Sequence, residues 1–359
     1  MDVIQIIILV FALLGAMDYV IGNRIGIGKE FEKGFALFAP LALSMLGMIV
    51  IAPAVGVWLS PLFEGFYTIF GIDPSVIPAS LLANDMGGAS LAQSVSRSDM
   101  MGHYNAFVVS SMMGCMISFT LPFSLGVVPK SQHNELFVGI LCGMTTIPVG
   151  CFAAGLICGI PVLALLLNLL PLIVIGVVIG LSLAFFRRAC VACFTVFGYA
   201  VRVVSVAGLA CAIFTFLTKI EVNPYFDTFE NGAFICINAC VTLAGALPLM
   251  FLVTKLLNRP LTALGGKLGI NGVSAIAFLG TLITNASTFG TMDRMDKKGT
   301  VLNAAFAVSA SFALGDHLAF TMAYDGRYVL PMILGKLISG ICAVLLALIV
   351  YRSKDRETA

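Results

Sequence analysis

Two acidic residues in apolar surroundings are the strongest candidates for chemistry in this chain of 359 residues. Asp85 follows Asn84 and is followed closely by a pair of glycines, which permit an unusual backbone and the close approach of a ligand. Asp316 precedes His317 within a second apolar stretch. Carboxylates in such surroundings are costly and usually have a functional reason. The residue types predict a site where a carboxylate binds a cation and an amide binds a hydroxyl group.

A second polar motif lies 201 positions after the first, at Asn285, within a run of threonines and serines. It is uncharged, so a site formed by both motifs would be asymmetric, with the cation on the side of Asp85. Structural roles are open as alternatives, because Asn and Asp also cap helices and form turns. If the second motif forms the tip of a hairpin, packing there would explain Asn285 equally well. For Asp316, the structural alternative is an ion pair with Lys336.

The composition is that of an integral membrane protein. Hydrophobic residues make up 60% of the chain and charged residues 11%, whereas a soluble domain has roughly 25% charged residues. Helices are expected because isolated strands leave their backbone unsatisfied in lipid. The net charge is only +2 and the basic residues lie in short loops, so there is no reason to expect a nucleic-acid partner. The ten cysteines and three histidines form no ligand pattern, so neither a metal nor a cofactor is expected.

Nine apolar stretches are long enough to cross a bilayer, for which about 20 residues are needed. The first lacks the basic region and cleavage site of a secretory signal peptide and is predicted to be a transmembrane helix. The segment 58–73 carries no Lys or Arg and predicts an interfacial stretch. The predicted spans are 3–21, 35–57, 104–126, 135–158, 161–186, 195–218, 232–254, 300–324 and 328–351.

The two halves of the chain match in one consistent order, which predicts an internal duplication. Asn84 corresponds to Asn285, and the dipeptide Phe119-Thr120 corresponds to Phe320-Thr321. The predicted organisation is a first repeat over 1–159, a linking transmembrane helix over 160–188 and a second repeat over 189–359.

Loop charges favour polar segments that turn back within the membrane. If 74–93 fully crossed, Arg187-Arg188 would lie outside and the later basic loops would fall on alternating sides. If 74–93 and 270–290 each form a re-entrant hairpin, nearly all basic loops, including Arg187-Arg188 and the C-terminal tail, become cytoplasmic, and the N-terminus lies outside. The linking helix then inverts the second repeat. The predicted fold is an all-α polytopic membrane protein with an inverted internal repeat, two re-entrant hairpins and about nine crossing helices, or ten or eleven if the hairpins span.

Three motifs give this chain a resemblance to a known family. They are Leu81-Leu-Ala-Asn-Asp-Met-Gly-Gly88, Gly22-Asn-Arg-Ile-Gly-Ile-Gly28 with the following Glu30-Phe-Glu-Lys-Gly34, and Gly315-Asp-His-Leu-Ala-Phe320. Together they resemble the ethanolamine-utilisation membrane permeases of bacteria along nearly the whole chain. The resemblance implies a multi-pass protein of the bacterial cytoplasmic (inner) membrane that transports ethanolamine for an ammonia-lyase pathway.

The predicted function is uptake of ethanolamine by a non-ATP-driven carrier or facilitator, since no phosphate-binding loop is present. Ethanolamine carries one ammonium and one hydroxyl group, which matches the predicted chemistry. A carrier for another small cationic amine or amino acid and a non-transporting membrane anchor are the alternatives, and an enzyme is not expected. Besides substrate and lipid bilayer, a homo-oligomer is compatible with the sequence. The predicted substrate-binding residues are Asn84, Asp85, Asn285, Asp316 and His317.

Overall fold

The chain folds as an all-α polytopic protein, as a computed structural model describes it. The backbone is described for residues 3–357, and this part contains no β-strand. The side chains of Arg187, Arg188 and Cys190, and those of the basic tail beyond Tyr351, lie outside the described part. The predicted fold class is confirmed.

Helices of very different lengths make up the described chain. The α-helices are α1 (Val3–Val20), α2 (Ile27–Ala36), α3 (Phe38–Leu41), α4 (Gly47–Trp58), α5 (Ser60–Phe70), α6 (Val76–Leu81), α7 (Gly88–Val95), α8 (Asp99–Tyr104), α9 (Leu121–Val127), α10 (His133–Ile157), α11 (Val162–Phe185), α12 (Arg187–Thr218), α13 (Phe229–Leu268), α14 (Gly272–Ile283), α15 (Asn285–Phe289), α16 (Lys297–Ala310), α17 (Asp316–Asp325) and α18 (Val329–Glu357). The π-helical segments are Ala42–Leu46, Asn105–Gly114 and Met116–Thr120, and the 3-10 turns are Asn84–Met86, Lys130–Gln132, Met292–Arg294 and Gly326–Tyr328.

Seven helices of the described chain are long and apolar enough to cross a membrane, and the bent pair α4–α5 makes an eighth if it counts as one span. The axis of α5 turns by 63° from that of α4, where Pro61 starts the new helix. Glu64 of α5 forms an ion pair with Arg97, whose guanidinium lies 5.2 Å from the Tyr67 ring centroid. This bent helix occupies the stretch that was predicted to be interfacial.

The span Asp99–Val127 forms the centre of the molecule and is called the central span below. It combines α8, two π-helical segments and α9. Its side chains Tyr104, Phe107, Met112 and Met116 are fully buried. By contrast, α1, α11 and α12 expose many Val, Leu and Ile side chains, as helices that face lipid do.

The predicted span 300–324 is interrupted between α16 and α17. Phe312 in this break has a positive φ of 62°. The N–H of Phe312 donates to the Thr281 carbonyl at 3.1 Å, and the N–H of Leu314 donates to the Leu282 carbonyl at 2.8 Å. Backbone groups that would have continued the helix are therefore satisfied by the end of α14 instead.

The two ends of the first predicted hairpin are joined by hydrogen bonds. Its helices α6 and α7 pack against each other. Just before α6, the Asp73 carboxylate accepts hydrogen bonds from the backbone N–H groups of Arg97 and Ser98, which follow α7, both at 3.0 Å. It also accepts from the N–H and hydroxyl of Ser75 at 3.0 and 2.6 Å. Because its two ends are joined, the segment 74–93 turns back as a re-entrant hairpin does.

The second predicted hairpin is closed in a similar way. Just before α14, the side-chain amide of Asn271 donates to the Arg294 carbonyl at 2.9 Å. The backbone N–H of Asn271 donates to the Asp296 carboxylate, also at 2.9 Å. Asp296 in turn caps α16 by accepting from the N–H of Gly299 at 3.1 Å. The segment 270–290 therefore also starts and finishes at one point.

The two closures lie at different ends of the central span. The central span starts at Asp99, directly after the first closure, and ends at Val127, 29 residues later. The next turn, Lys130–Gln132, lies beside the second closure, because the Gln132 side-chain amide donates to the Met295 carbonyl at 3.5 Å. Entry of the hairpins from opposite ends agrees with the predicted inversion, and the repeat boundaries stay a prediction.

Close backbone approach recurs at equivalent positions of the two halves. A Cβ atom on Gly114 would collide with the Leu82 carbonyl at the break of the first hairpin. A Cβ atom on Gly315 would collide with the Ile283 carbonyl at the break of the second. Both the glycines and the carbonyls are 201 positions apart. The same contact in both halves supports the predicted duplication.

Candidate ligand-binding site

The tip of the first hairpin is a break between two short helices. Leu82 has extended backbone (φ −120°, ψ 138°), Asn84–Met86 form a single 3-10 turn, and Gly87 has a φ of 93°. A Cβ atom on the next glycine, Gly88, would meet the Leu82 carbonyl and the Ser110 hydroxyl. That hydroxyl donates to the Leu82 carbonyl at 2.5 Å. The glycine pair therefore lets the tip lie directly against the central span.

Asp85 at this tip faces His317 at the start of α17. Asp85 Oδ1 lies 3.8 Å from His317 Nε2, and His317 Nδ1 lies 3.2 Å from Lys336 Nζ. Because an ammonium can only donate, Nδ1 is the acceptor and Nε2 carries the ring proton that faces Asp85. Lys336 also donates to the Ser111 carbonyl at 2.5 Å, within a π-helical stretch of the central span. The sequence of contacts thus runs from a buried ammonium through a neutral imidazole to a carboxylate.

Exposure differs sharply along these contacts. His317 and Lys336 are each 1% exposed, whereas the Asp85 side chain is 18% exposed. The carboxylate is therefore the most accessible of these three groups. The two nitrogen-bearing side chains behind it are shielded and have partners.

Asp316 lies in the first turn of α17, where the helix dipole favours a negative charge. The helix that carries Asp316 packs against the Asn84–Met86 turn that carries Asp85. Within the described part of the chain, Asp316 makes no ion pair, and Lys336 contacts His317 rather than Asp316. The alternative of a structural Asp316–Lys336 pair is therefore wrong. The two acids thus lie on elements that meet at the hairpin tip.

Asn84 is fully buried, and both atoms of its amide lack a hydrogen-bond partner among the described residues. Thr321, one helical turn after His317, is also fully buried, and its hydroxyl likewise has no partner there. The helix α17 packs against the Asn84–Met86 turn. Since buried polar groups are nearly always hydrogen-bonded, these atoms provide open donors and acceptors for a ligand.

Asn285, at the tip of the second hairpin, is buried in a different setting. Its amide Nδ2 donates to the Thr120 hydroxyl of the central span at 3.0 Å. Cys115 Sγ lies 3.7 Å from the same hydroxyl. These contacts hold Asn285 on the central span, whereas Asp85 faces His317 of α17, which contacts Lys336 of α18. The structure thus unites four predicted residues around the first tip and gives Asn285 a separate partner.

Three contributors to this region were not predicted as site residues. Lys336 had a detectable signal, because it is the only Lys or Arg within 328–351 and a buried amine requires a partner. Ser111 contributes a backbone carbonyl, which no side-chain pattern can reveal. The hydroxyl of Thr321 gains its importance only from the packing of α17 against the hairpin tip.

Comparisons with known proteins find relatives along nearly the whole chain. A family model described as "Ethanolamine utilisation protein, EutH" matches residues 1–350. A Listeria monocytogenes protein named "Probable ethanolamine permease EutH" is 39% identical over 343 residues, which cover 96% of this chain and 92% of that protein. An Escherichia coli protein with the same name is 33% identical, with 99% of this chain and 96% of that protein covered. No solved structure matches.

Proposed function

Since the chain belongs to the EutH family of ethanolamine utilisation proteins, we propose that it carries ethanolamine into the bacterial cytoplasm without using ATP. The relatives named as probable permeases support a transport role. The observation that carries the proposal is the site at the first hairpin tip. Asp85 and Asp316 lie on two elements that pack together, they form no salt bridge with Lys or Arg among the described residues, and Asp85 directly follows the open amide of Asn84.

The two carboxylates are the proposed binding site for the substrate ammonium. A cation between Asp85 and Asp316 relieves their mutual repulsion and receives charge-assisted hydrogen bonds, which contribute about 1.5–3 kcal/mol each. His317 directs its Nε2 proton toward the Asp85 carboxylate at 3.8 Å, which is longer than a hydrogen bond. The charge of Lys336 lies behind the histidine and so offsets part of the negative charge without filling the ammonium position.

The substrate hydroxyl is assigned to Asn84, whose amide offers a donor and an acceptor. Asn285 already donates to Thr120, so in this conformation it holds the second hairpin on the central span. It would reach a substrate only after that hydrogen bond opens. Movement of the hairpins relative to the central span is therefore the proposed basis of alternating access.

Uptake by purified protein in liposomes tests this function. We expect labelled ethanolamine to accumulate above the level of protein-free liposomes, and excess unlabelled ethanolamine to compete. Repeating the assay with an imposed pH gradient separates proton-coupled transport from facilitation.

Competition experiments in the same assay separate the alternatives. Stronger competition by another small amine or by an amino acid would identify a different substrate for the carrier. Failure to take up any of these compounds would overturn the transport proposal and favour a membrane anchor.

A further inference from the structure

Each half of the chain contributes one Asn and one Thr at equivalent positions, and the two resulting pairs differ. Asn84 and Asn285 are 201 positions apart, and so are Thr120 and Thr321. Asn285 of the second half donates to Thr120 of the first half at 3.0 Å. The equivalent hydrogen bond, with the roles of the two halves exchanged, would run from Asn84 to Thr321. Among the described residues, however, both amide atoms of Asn84 and the Thr321 hydroxyl have no partner.

The unpaired Asn and Thr belong to elements that also carry the proposed ammonium site. Asn84 directly precedes Asp85 in the 3-10 turn, and Thr321 follows His317 by one turn of α17. Asp85 lies 3.8 Å from His317, and α17 packs against the Asn84–Met86 turn, so these two elements adjoin each other. Three fully buried polar atoms without a partner among the described residues therefore lie on the same two elements as the carboxylates.

We propose that Thr321, together with Asn84, recognises the substrate hydroxyl and makes the protein selective for hydroxyl-bearing primary amines. This inference rests on the proposed transport function and adds a specificity-determining residue to it. The amide and the Thr321 hydroxyl supply both donors and acceptors, so a substrate hydroxyl can donate to one group and accept from the other. An amine that lacks the hydroxyl leaves these buried groups unpaired, which is the arrangement that rejects such analogues most strongly.

Paired threonine variants provide the test, with ethylamine as the analogue that lacks a hydroxyl. Uptake of labelled ethanolamine and ethylamine is measured in liposomes for the wild type, Thr321→Val and Thr120→Val. We expect Thr321→Val to lower the ethanolamine-to-ethylamine uptake ratio about tenfold, mainly through slower ethanolamine uptake. Thr120→Val removes an equally buried hydroxyl whose partner is Asn285, so the ratio should stay at the wild-type value even if total uptake falls.

The outcomes separate this inference from the transport function. An unchanged ratio in Thr321→Val, or an equal fall in both variants, overturns the role of Thr321 while transport by the wild type stands. Absence of ethanolamine uptake by the wild type overturns the transport proposal itself, and this inference with it. If Thr321→Val transports too slowly to measure, thermal unfolding with ethanolamine or ethylamine gives the same comparison through ligand-dependent stabilisation.

Discussion

At the scale of single residues, the placement of Lys336 behind a histidine has a functional consequence. Its ammonium donates to His317 and to the Ser111 carbonyl, and His317 turns its other nitrogen toward Asp85. A direct contact between Lys336 and Asp85 would satisfy the carboxylate with a cation of the same type as a substrate ammonium. The intervening neutral ring keeps the carboxylate available while the buried positive charge stays nearby.

Neutralising either carboxylate should impair uptake. We expect Asp85→Asn and Asp316→Asn each to reduce ethanolamine uptake about tenfold or more, because a charge-assisted hydrogen bond contributes about 1.5–3 kcal/mol. The measurement is initial uptake at equal membrane expression. Asp293→Asn, which changes a carboxylate that is 59% exposed, is the control and should transport normally. Wild-type uptake in both site variants would rule out this pair as the ammonium site.

Removal of the buried ammonium should destabilise the protein. Lys336→Met keeps the length of the side chain but leaves the Ser111 carbonyl and His317 Nδ1 without their donor. It also removes the positive charge that lies behind His317, on the side away from Asp85. Unfolding free energy should fall by about 1–3 kcal/mol, measured by thermal unfolding in detergent. Lys297→Met, at an exposed position, should unfold like the wild type; equal stability of both variants would contradict the role of Lys336.

The sequence identified the acids and the asparagines of this region but not how they are connected. Asp85 and His317 were separate predictions, and only the fold brings them to 3.8 Å. Polar residues in apolar stretches are visible in a sequence because they are unusual there. Thr321 is not unusual in a helix, and its unpartnered state depends on packing between distant segments.

At the scale of elements, each hairpin contains a break between two short helices, and this break packs directly against a neighbouring segment. Most apolar runs in the sequence predicted spans close to the observed bounds, because a lipid-exposed segment satisfies its backbone hydrogen bonds within a helix. The break between α16 and α17 was missed, since its N–H groups find their acceptors in α14, which is remote in sequence. The predicted span 232–254 also proved to be part of the longer helix α13, which continues through Pro248 and Pro260 to Leu268.

Glycine at the contact between the central span and the first hairpin is expected to be essential. A Cβ on Gly114 would collide with the backbone of Leu82, and backbone cannot move aside as a side chain can. We expect Gly114→Ala to displace the hairpin tip, lower the unfolding temperature in detergent and greatly reduce uptake.

A matched control for this substitution lies on the same span. Gly126 has open space around its Cβ direction, so Gly126→Ala should be neutral or slightly stabilising, by up to about 1 kcal/mol. If both alanine variants behaved alike, the close contact at Gly114 would not explain how the hairpin is positioned.

At the scale of the whole molecule, polar contacts connect loops to one another at each of its two ends. The first end holds the Asp73 closure, the ion pair of Glu64 with Arg97, and the contact of His103 with Asp325 at 3.7 Å. The second end holds the Asn271 closure and the Lys298 ammonium, which donates to the Leu268 carbonyl at 2.6 Å. These loops are grouped as the loop charges predict, and which end is cytoplasmic stays a prediction.

The sidedness of the two ends can be measured by labelling from outside the cell. In a variant whose native cysteines are replaced, Asp99→Cys reports on the first end and Asp293→Cys on the second; both positions are well exposed. Since Lys130, Arg294, Lys297 and Lys298 cluster near the second end, we expect that end to be cytoplasmic. A membrane-impermeant maleimide should therefore label position 99 in intact cells and position 293 only after permeabilisation. Labelling of both positions from outside would place both hairpin closures on one face, and the internal repeat would then be parallel rather than inverted.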